Sequence, residues 1–155
     1  MYGFYFNLSY KGIDLSANFM GQSGNKILNR KRGEVIWTSD TNMDADLAIN
    51  RWHGEGTSDK YPSSAGLRKG WNQKMSDYFV EDGSFFRVQN VQIGYNITGK
   101  QLFGAQMPAI RITLTADRPL TLFKYNGFNP EVQDGVDRQT YPIPAVYTIG
   151  LNVQF

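Results

Sequence analysis

An all-β fold, built as an antiparallel meander, is what this sequence of 155 residues predicts. Three observations lead there. Apolar and polar residues alternate with period two in five separate segments. The connections between those segments are sorted by length, short alternating with long. Ten Phe, nine Tyr and 16 Gly give a composition of strands and turns.

In the first segment Tyr2, Phe4, Phe6, Leu8 and Tyr10 share one face, and Gly3, Tyr5, Asn7 and Ser9 the other. A turn at Lys11-Gly12 restarts the phase, so that Ile13, Leu15, Ala17 and Phe19 continue the apolar face in a tight hairpin. A stretch over about 21–83 has little periodicity and reads as a long loop holding Trp37, Trp52 and Trp71. Alternation resumes over 85–97, where Val91, Ile93, Tyr95 and Ile97 share a face; the phase break at 87–89 predicts a bulge. A modest connection, 98–108, leads to Ile110, Ile112, Leu114 and Ala116, and a second long loop covers about 117–144. The final strand sets Tyr147, Ile149, Leu151, Val153 and Phe155 against Thr148, Gly150, Asn152 and Gln154. No helix is expected.

Loops sorted by side are a property of membrane barrels, which have short turns at one mouth and long loops at the other. In the first strand Tyr2 and Tyr10 flank Phe4, Phe6 and Leu8; in the last, Tyr147 and Phe155 flank Ile149, Leu151 and Val153. Eight residue steps of about 3.3 Å cover roughly 26 Å, the height of a lipid-facing band, and aromatic rings favour its two interfaces. The opposite face, of Asn, Ser, Thr, Gln, Gly and Asp, suits a wet lumen. No run approaches the roughly 20 apolar residues of a spanning helix, and the first residues do not read as a secretion signal. Met1 and Phe155 both fall on strand patterns, which reads as a chain that is either trimmed or a fragment.

The absence of Cys excludes disulfide and thiolate-metal scaffolds, and a formal net charge of +2 gives no electrostatic case for nucleic acid. His53 stands in a loop with no nucleophile elbow, the adjacent Glu81 and Asp82 point to opposite faces, and 21–26 lacks a P-loop ending, so no catalysis and no cofactor are expected. Asp40, Asn42, Asp44 and Asp46 alternate like the start of a calcium loop, but Ala45 replaces its glycine and Arg51 its glutamate; no metal is expected. Arg30-Lys31-Arg32 reads as a solvated turn. The loop aromatics Trp37, Trp52, Tyr61 and Trp71 are the better candidates: their rings could stack on a ligand or anchor a partner, or could pack the loop onto itself.

These segments, in this order, resemble the C-terminal part of SusC/RagA-type TonB-linked outer-membrane proteins of Bacteroidetes. The resemblance covers nearly the whole chain. It lies in Tyr10-Lys11-Gly12-Ile13-Asp14-Leu15-Ser16, Gly21-Gln22-Ser23-Gly24-Asn25-Lys26, Arg51-Trp52 with Tyr61-Pro62, the stretch 80–91 including Arg87 and Asn90, Ile93-Gly94-Tyr95, Tyr125-Asn126-Gly127-Phe128-Asn129-Pro130-Glu131, and 147–155. Where the family usually carries Asn-Leu, this chain reads Asp117-Arg118-Pro119-Leu120.

The resemblance implies the last five or so strands of a large plugged barrel of about 22 strands, not closed on its own. It also implies integral residence in the outer membrane and contact with its lipid. The implied activity is import of an oligosaccharide or peptide, energised by the TonB complex through a plug region outside this portion. A SusD-like surface lipoprotein would cover the outer mouth. The closing residues Tyr147, Leu151, Val153 and Phe155 resemble the signal read by the barrel-assembly machinery, through strand addition at an exposed edge. The other readings open at this point are a small soluble β-protein binding carbohydrate through its aromatic loops, and an inactive barrel fragment.

Overall fold

The computed structural model describes residues 1–30, 42, 45–66, 69–97, 101–102, 105–106, 108–138 and 140–154. Among these the strands are β1 (Tyr2–Tyr10), β2 (Ile13–Gln22), β3 (Lys26–Asn29), β4 (Val80–Asp82), β5 (Phe85–Ile97), β6 (Gln101–Leu102), β7 (Ala105–Gln106), β8 (Ala109–Phe123), β9 (Val136–Asp137) and β10 (Val146–Gln154). The chain divides into two compact units, Met1–Gly24 with Ser84–Lys124 and Pro142–Phe155, and Asn25–Gly83 with Tyr125–Tyr141.

The first unit is a five-stranded sheet in the order β1-β2-β5-β8-β10, every neighbouring pair antiparallel. All five predicted strands are present and adjacent, and the sheet is open. Lys11 and Gly12 take φ of 47° and 85°, the two left-handed residues of a type I′ hairpin turn. Ladder register then carries the alternation across the sheet. Leu8, Leu15, Ile93, Leu114 and Ile149 form one row, and Tyr10, Ile13, Tyr95, Ile112 and Leu151 the next. On the reverse face Asn7, Ser16, Gln92, Thr115 and Thr148 line up.

The predicted bulge is at Gln89. Val88 and Asn90 face Phe19 and Asn18 of β2, and Leu120 and Asp117 of β8, so Gln89 has no ladder partner and Arg118-Pro119 bulges opposite it. Arg118 takes φ 52° there. Pro119, which has no N–H, is tolerated because β10 pairs with β8 only as far as Asp117. This corrects the expected loop boundary at 117: β8 resumes after the bulge and runs on to Phe123.

The two long stretches, expected to be loops, contain a second small fold. Strands β4, β3 and β9 form a three-stranded sheet in that order, with β3 and β9 parallel. A five-residue helix, α1 (Ala45–Ile49), and 3-10 turns at Gly70–Gln73, Asp77–Phe79 and Gln133–Gly135 complete it. Leu47, Tyr61 and Phe79 form its apolar core, with Leu28 packed against them. The expectation of no helix therefore fails among the described residues at Ala45–Ile49, while the all-β class stands.

Candidate functional site

The larger site is the wall formed by the first unit. Its apolar face is uncovered: Phe4, Leu8, Ile93, Leu114 and Ile149 all stand exposed, Ile149 to 79%. Phe4, Phe6, Phe19 and Phe86 form a near-parallel stack on this face, with Phe4 and Phe19 4.4 Å apart. Water tolerates single exposed apolar side chains, but not a whole five-stranded face of them. Hydrocarbon does.

The reverse face holds hydrogen-bonded polar groups. Arg111 donates from Nη1 and Nη2 to the two Asp14 oxygens at 2.8 and 2.7 Å, and from Nη1 to Asn96 Oδ1 at 2.8 Å. This pair spans β5 at Gly94. A Cβ there would lie 2.6 Å from Arg111 Nη2 and 2.6 Å from Asp14 Oδ2, so glycine is what lets β2 and β8 reach each other over β5. Further along, Asn90 donates to Asp117 Oδ1 at 2.7 Å. Arg87, 2% exposed, donates to Thr121 Oγ1 at 3.1 Å and lies over the Phe85 ring. The motif positions Asp14, Arg87, Asn90 and Gly94 are thus one polar seam along β2, β5 and β8. Tyr10 and Tyr95 lie on the apolar face, and the Lys11 ammonium stands 5.2 Å from the Tyr10 ring.

The second site is the loop module. Asn29, 1% exposed, donates to Glu81 Oε1 and to the Asn126 carbonyl, while Glu81 Oε2 accepts from the Asn126 N–H at 2.8 Å. Tyr125 donates to Asp137 Oδ2 at 2.5 Å, with both side chains buried. Burial and the neighbouring Asp137 carboxylate push the Tyr125 hydroxyl upward, so it remains a donor. Gly127 makes room for that ring: a Cβ would overlap it, 2.6 Å from Cζ. Pro130 is buried, and the Glu131 N–H donates to Asn129 Oδ1. These positions hold the module together.

A cavity of about 510 Å³ opens within the same module. Tyr61 and Phe79 form its buried floor, and Met75 and Tyr78 its exposed walls. One wall is clasped by Asp46, which accepts from Lys60 Nζ at 2.8 and 2.9 Å, from the Tyr61 hydroxyl at 2.5 Å and from Asn50 at 2.6 Å. Hydrogen bonds from Lys60 first, then Tyr61 and Asn50, hold the Asp46 carboxyl at about 2. Asp46 therefore acts as a clasp within the module. Asp40 and Asp44 lie outside the described residues. Among the described residues no three metal-binding side chains come together.

The loop aromatics fall in different places. Tyr61 is 3% exposed and belongs to the module's core, one edge lining the cavity. Trp52 is 47% exposed, its N–H bonded to the Tyr61 carbonyl. The backbone of Trp71 lies in a 3-10 turn, and Trp37 is outside the described residues. His53 is an exposed loop residue with Nδ1 3.0 Å from the Arg51 carbonyl. On the terminal strand Tyr147, Leu151 and Val153 share the apolar face and are exposed; Phe155 is outside the described residues.

Fold and faces together define the class: a section of the wall of a large antiparallel membrane barrel, with a folded module in its long loops. No protein-family profile matches the chain. Individual proteins do. The TonB-dependent receptor P3 of Formosa agariphila is 28% identical over 165 residues, covering 99% of this chain and 16% of its own length. The TonB-dependent receptor SusC of Bacteroides thetaiotaomicron is 27% identical over 151 residues, 96% of this chain and 14% of SusC. Among solved structures, the RagAB peptide transporter superposes with a TM-score of 0.80 at 26% identity, covering 99% of this chain and 17% of that one. The chain thus spans about one-sixth of the length of the relatives it matches. It matches the C-terminal part of a SusC/RagA-type TonB-dependent barrel, as the motif resemblance implies.

Proposed function

We propose that the protein forms part of the wall of a TonB-dependent importer in the bacterial outer membrane. The observation that carries this is the continuous apolar face, exposed across all five strands and backed by a polar face. One face suits lipid and the other a wet lumen. The likeness to TonB-dependent receptors along nearly the whole chain supports the same reading.

In this reading the protein moves a nutrient oligomer through a gated pore and performs no covalent chemistry. TonB supplies energy through a plug region, and a SusD-like surface lipoprotein closes the outer mouth. The cargo is a glycan or a peptide; the RagAB peptide transporter supports the second. The barrel-assembly machinery engages the last strand through the side carrying Tyr147, Leu151, Val153 and Phe155, by strand addition.

Expression of the intact protein in an outer-membrane host tests this. The expected result is a heat-modifiable band in the outer-membrane fraction, with uptake of an oligomeric nutrient that stops when TonB is removed. A water-soluble monomer with native sheet content, absent from the membrane fraction, would overturn it.

A further inference from the structure

We propose that the β1–β2 turn carries a binding site for the phosphate headgroup of an anionic phospholipid, built from Lys11, Tyr10 and Tyr95. The proposal rests on the membrane-wall reading for the lipid, and on the geometry of the turn for the site. Only Lys11 and Gly12 join β1 to β2, whereas the other ends of β2 and β8 lead into the long stretches 25–83 and 125–141. In an outer-membrane barrel this sets the turn at the periplasmic mouth, level with the headgroups of the inner leaflet.

Lys11 takes φ 47°, a left-handed conformation that Gly, Asn and Asp adopt far more easily, and the first place of a type I′ turn usually goes to one of them. A strained residue held by its surroundings points to a use. The surroundings do hold this turn. The Asn96 N–H donates to the Gly12 carbonyl at 2.8 Å, and a Cβ on Gly12 would lie 3.0 Å from the Asn96 carbonyl oxygen and 3.7 Å from the Tyr95 ring. Strand alternation alone would direct Lys11 to the polar face with Asn7 and Ser9. Its ammonium stands instead 5.2 Å from the centre of the Tyr10 ring, on the apolar face.

The groups around that ammonium suit a phosphate diester. Ladder register puts Tyr10 and Tyr95 in one row on either side of Ile13, and they are 67% and 42% exposed. Among the described residues no carboxylate pairs with Lys11, and no hydrogen bond engages the Tyr10 or Tyr95 hydroxyl. Asp14, three residues beyond Lys11, is held by Arg111 at 2.7 Å on the polar face. One cation and two phenol donors beside apolar surface match a headgroup whose negative oxygens lie just above its acyl chains. A zwitterionic headgroup brings its own ammonium to the phosphate and gains less from Lys11, so the site favours an anionic lipid.

The intact protein carrying Ile13→p-benzoylphenylalanine, a photo-reactive side chain at an exposed position of the apolar face, tests this in vesicles of equal parts phosphatidylglycerol and phosphatidylcholine. Mass spectrometry of the adducts reads which lipid lies at the turn. Phosphatidylglycerol adducts should outnumber phosphatidylcholine adducts about fivefold, the ratio that one cation supplies beside an anionic lipid surface, and high salt should reduce the excess. Lys11→Asn, which suits the turn better, should bring the ratio to about one without lowering the temperature of heat modification in phosphatidylcholine alone. Lys11→Arg should keep most of the excess, and Lys69→Asn, in the loop module, all of it. Equal adducts in the parent, an unchanged ratio in Lys11→Asn, or a lower heat-modification temperature for Lys11→Asn in phosphatidylcholine would each overturn the site and leave the membrane wall standing. An intact protein that yields no lipid adduct at Ile13 would overturn the wall reading and the site together.

Discussion

Replacing Gly127 with alanine should open the loop module, although the change adds a single methyl group. The Tyr125 ring lies against Gly127, and a Cβ there would overlap it, 2.6 Å from Cζ and 2.8 Å from the hydroxyl. The ring is 4% exposed, and its hydroxyl is bound to Asp137, itself 1% exposed. Displacing it forfeits at least the hydrogen bond to a charged acceptor, about 1.5–3 kcal/mol. The upper limit is the whole ring, about 3–5 kcal/mol for truncating a buried aromatic side chain. Tyr125→Phe should cost only the lower figure. Amide hydrogen exchange over 25–29 and 125–137, in the intact protein in detergent, reads the opening energy of the module directly. Because both substitutions break the same bond, the double variant should fall short of the sum of the singles by about 1 kcal/mol or more. A neutral Gly127→Ala, or strictly additive costs, would refute the reasoning. The pH dependence carries a sign of its own. A hydroxyl shifted upward on folding stabilises fully below its unfolded value, near 10, and that contribution is lost only above it.

On the wall, Ile93→Arg should impair membrane assembly by about 2–4 kcal/mol, while its neighbour Gln92→Arg, on the polar face, should be tolerated; urea unfolding in lipid vesicles separates them. Gly94→Ala should lower the temperature of heat modification by pushing apart Asp14 and Arg111, and should have little further effect once Arg111 is already Gln. In the module, Asp46 is the reverse case from Tyr125. Its depressed carboxyl stabilises above about 4, and the clasp is lost as pH falls towards 2. Limited proteolysis of 45–61 should therefore accelerate over that window in the parent protein, and at neutral pH in Asp46→Asn.

What could be read from the sequence is what depends on near neighbours in the chain. Period two identifies β1, β2, β5 and β10 almost to the residue, and the break at 87–89 places the bulge at Gln89. The far half of β8 stays hidden because Arg118-Pro119 interrupts the alternation, although the strand resumes at once. Strands β3, β4 and β9, two to four residues long, are too short to show any period, and β9 joins β3 only through parallel pairing across more than a hundred residues. The same limit applies to the sites. Asp14 and Gly94 are recognisable as motif positions, but their partner Arg111 lies 97 residues beyond Asp14 and is found only through ladder register. For Tyr61 the sequence leaves open whether the ring meets a ligand or packs the loop onto itself, because irregular backbone carries no burial signal. It is the Asp46 clasp and the bridge from Arg51 that turn its ring inward.

The mean hydropathy of −0.44 describes neither surface of the sheet. It averages an apolar face, a polar face and a polar module, three environments that the fold keeps apart. The physical question is what could complete such a sheet. Strands β1 and β10 each pair with one neighbour among the described residues, leaving a row of backbone donors and acceptors nine residues long on either side. In water those edges would template aggregation. In hydrocarbon they would be intolerable, since each unsatisfied group costs several kcal/mol. The apolar face rejects water and the edges reject lipid, so neither solvent alone accommodates the sheet. A closed ring of strands satisfies the edges, and a bilayer around that ring satisfies the face.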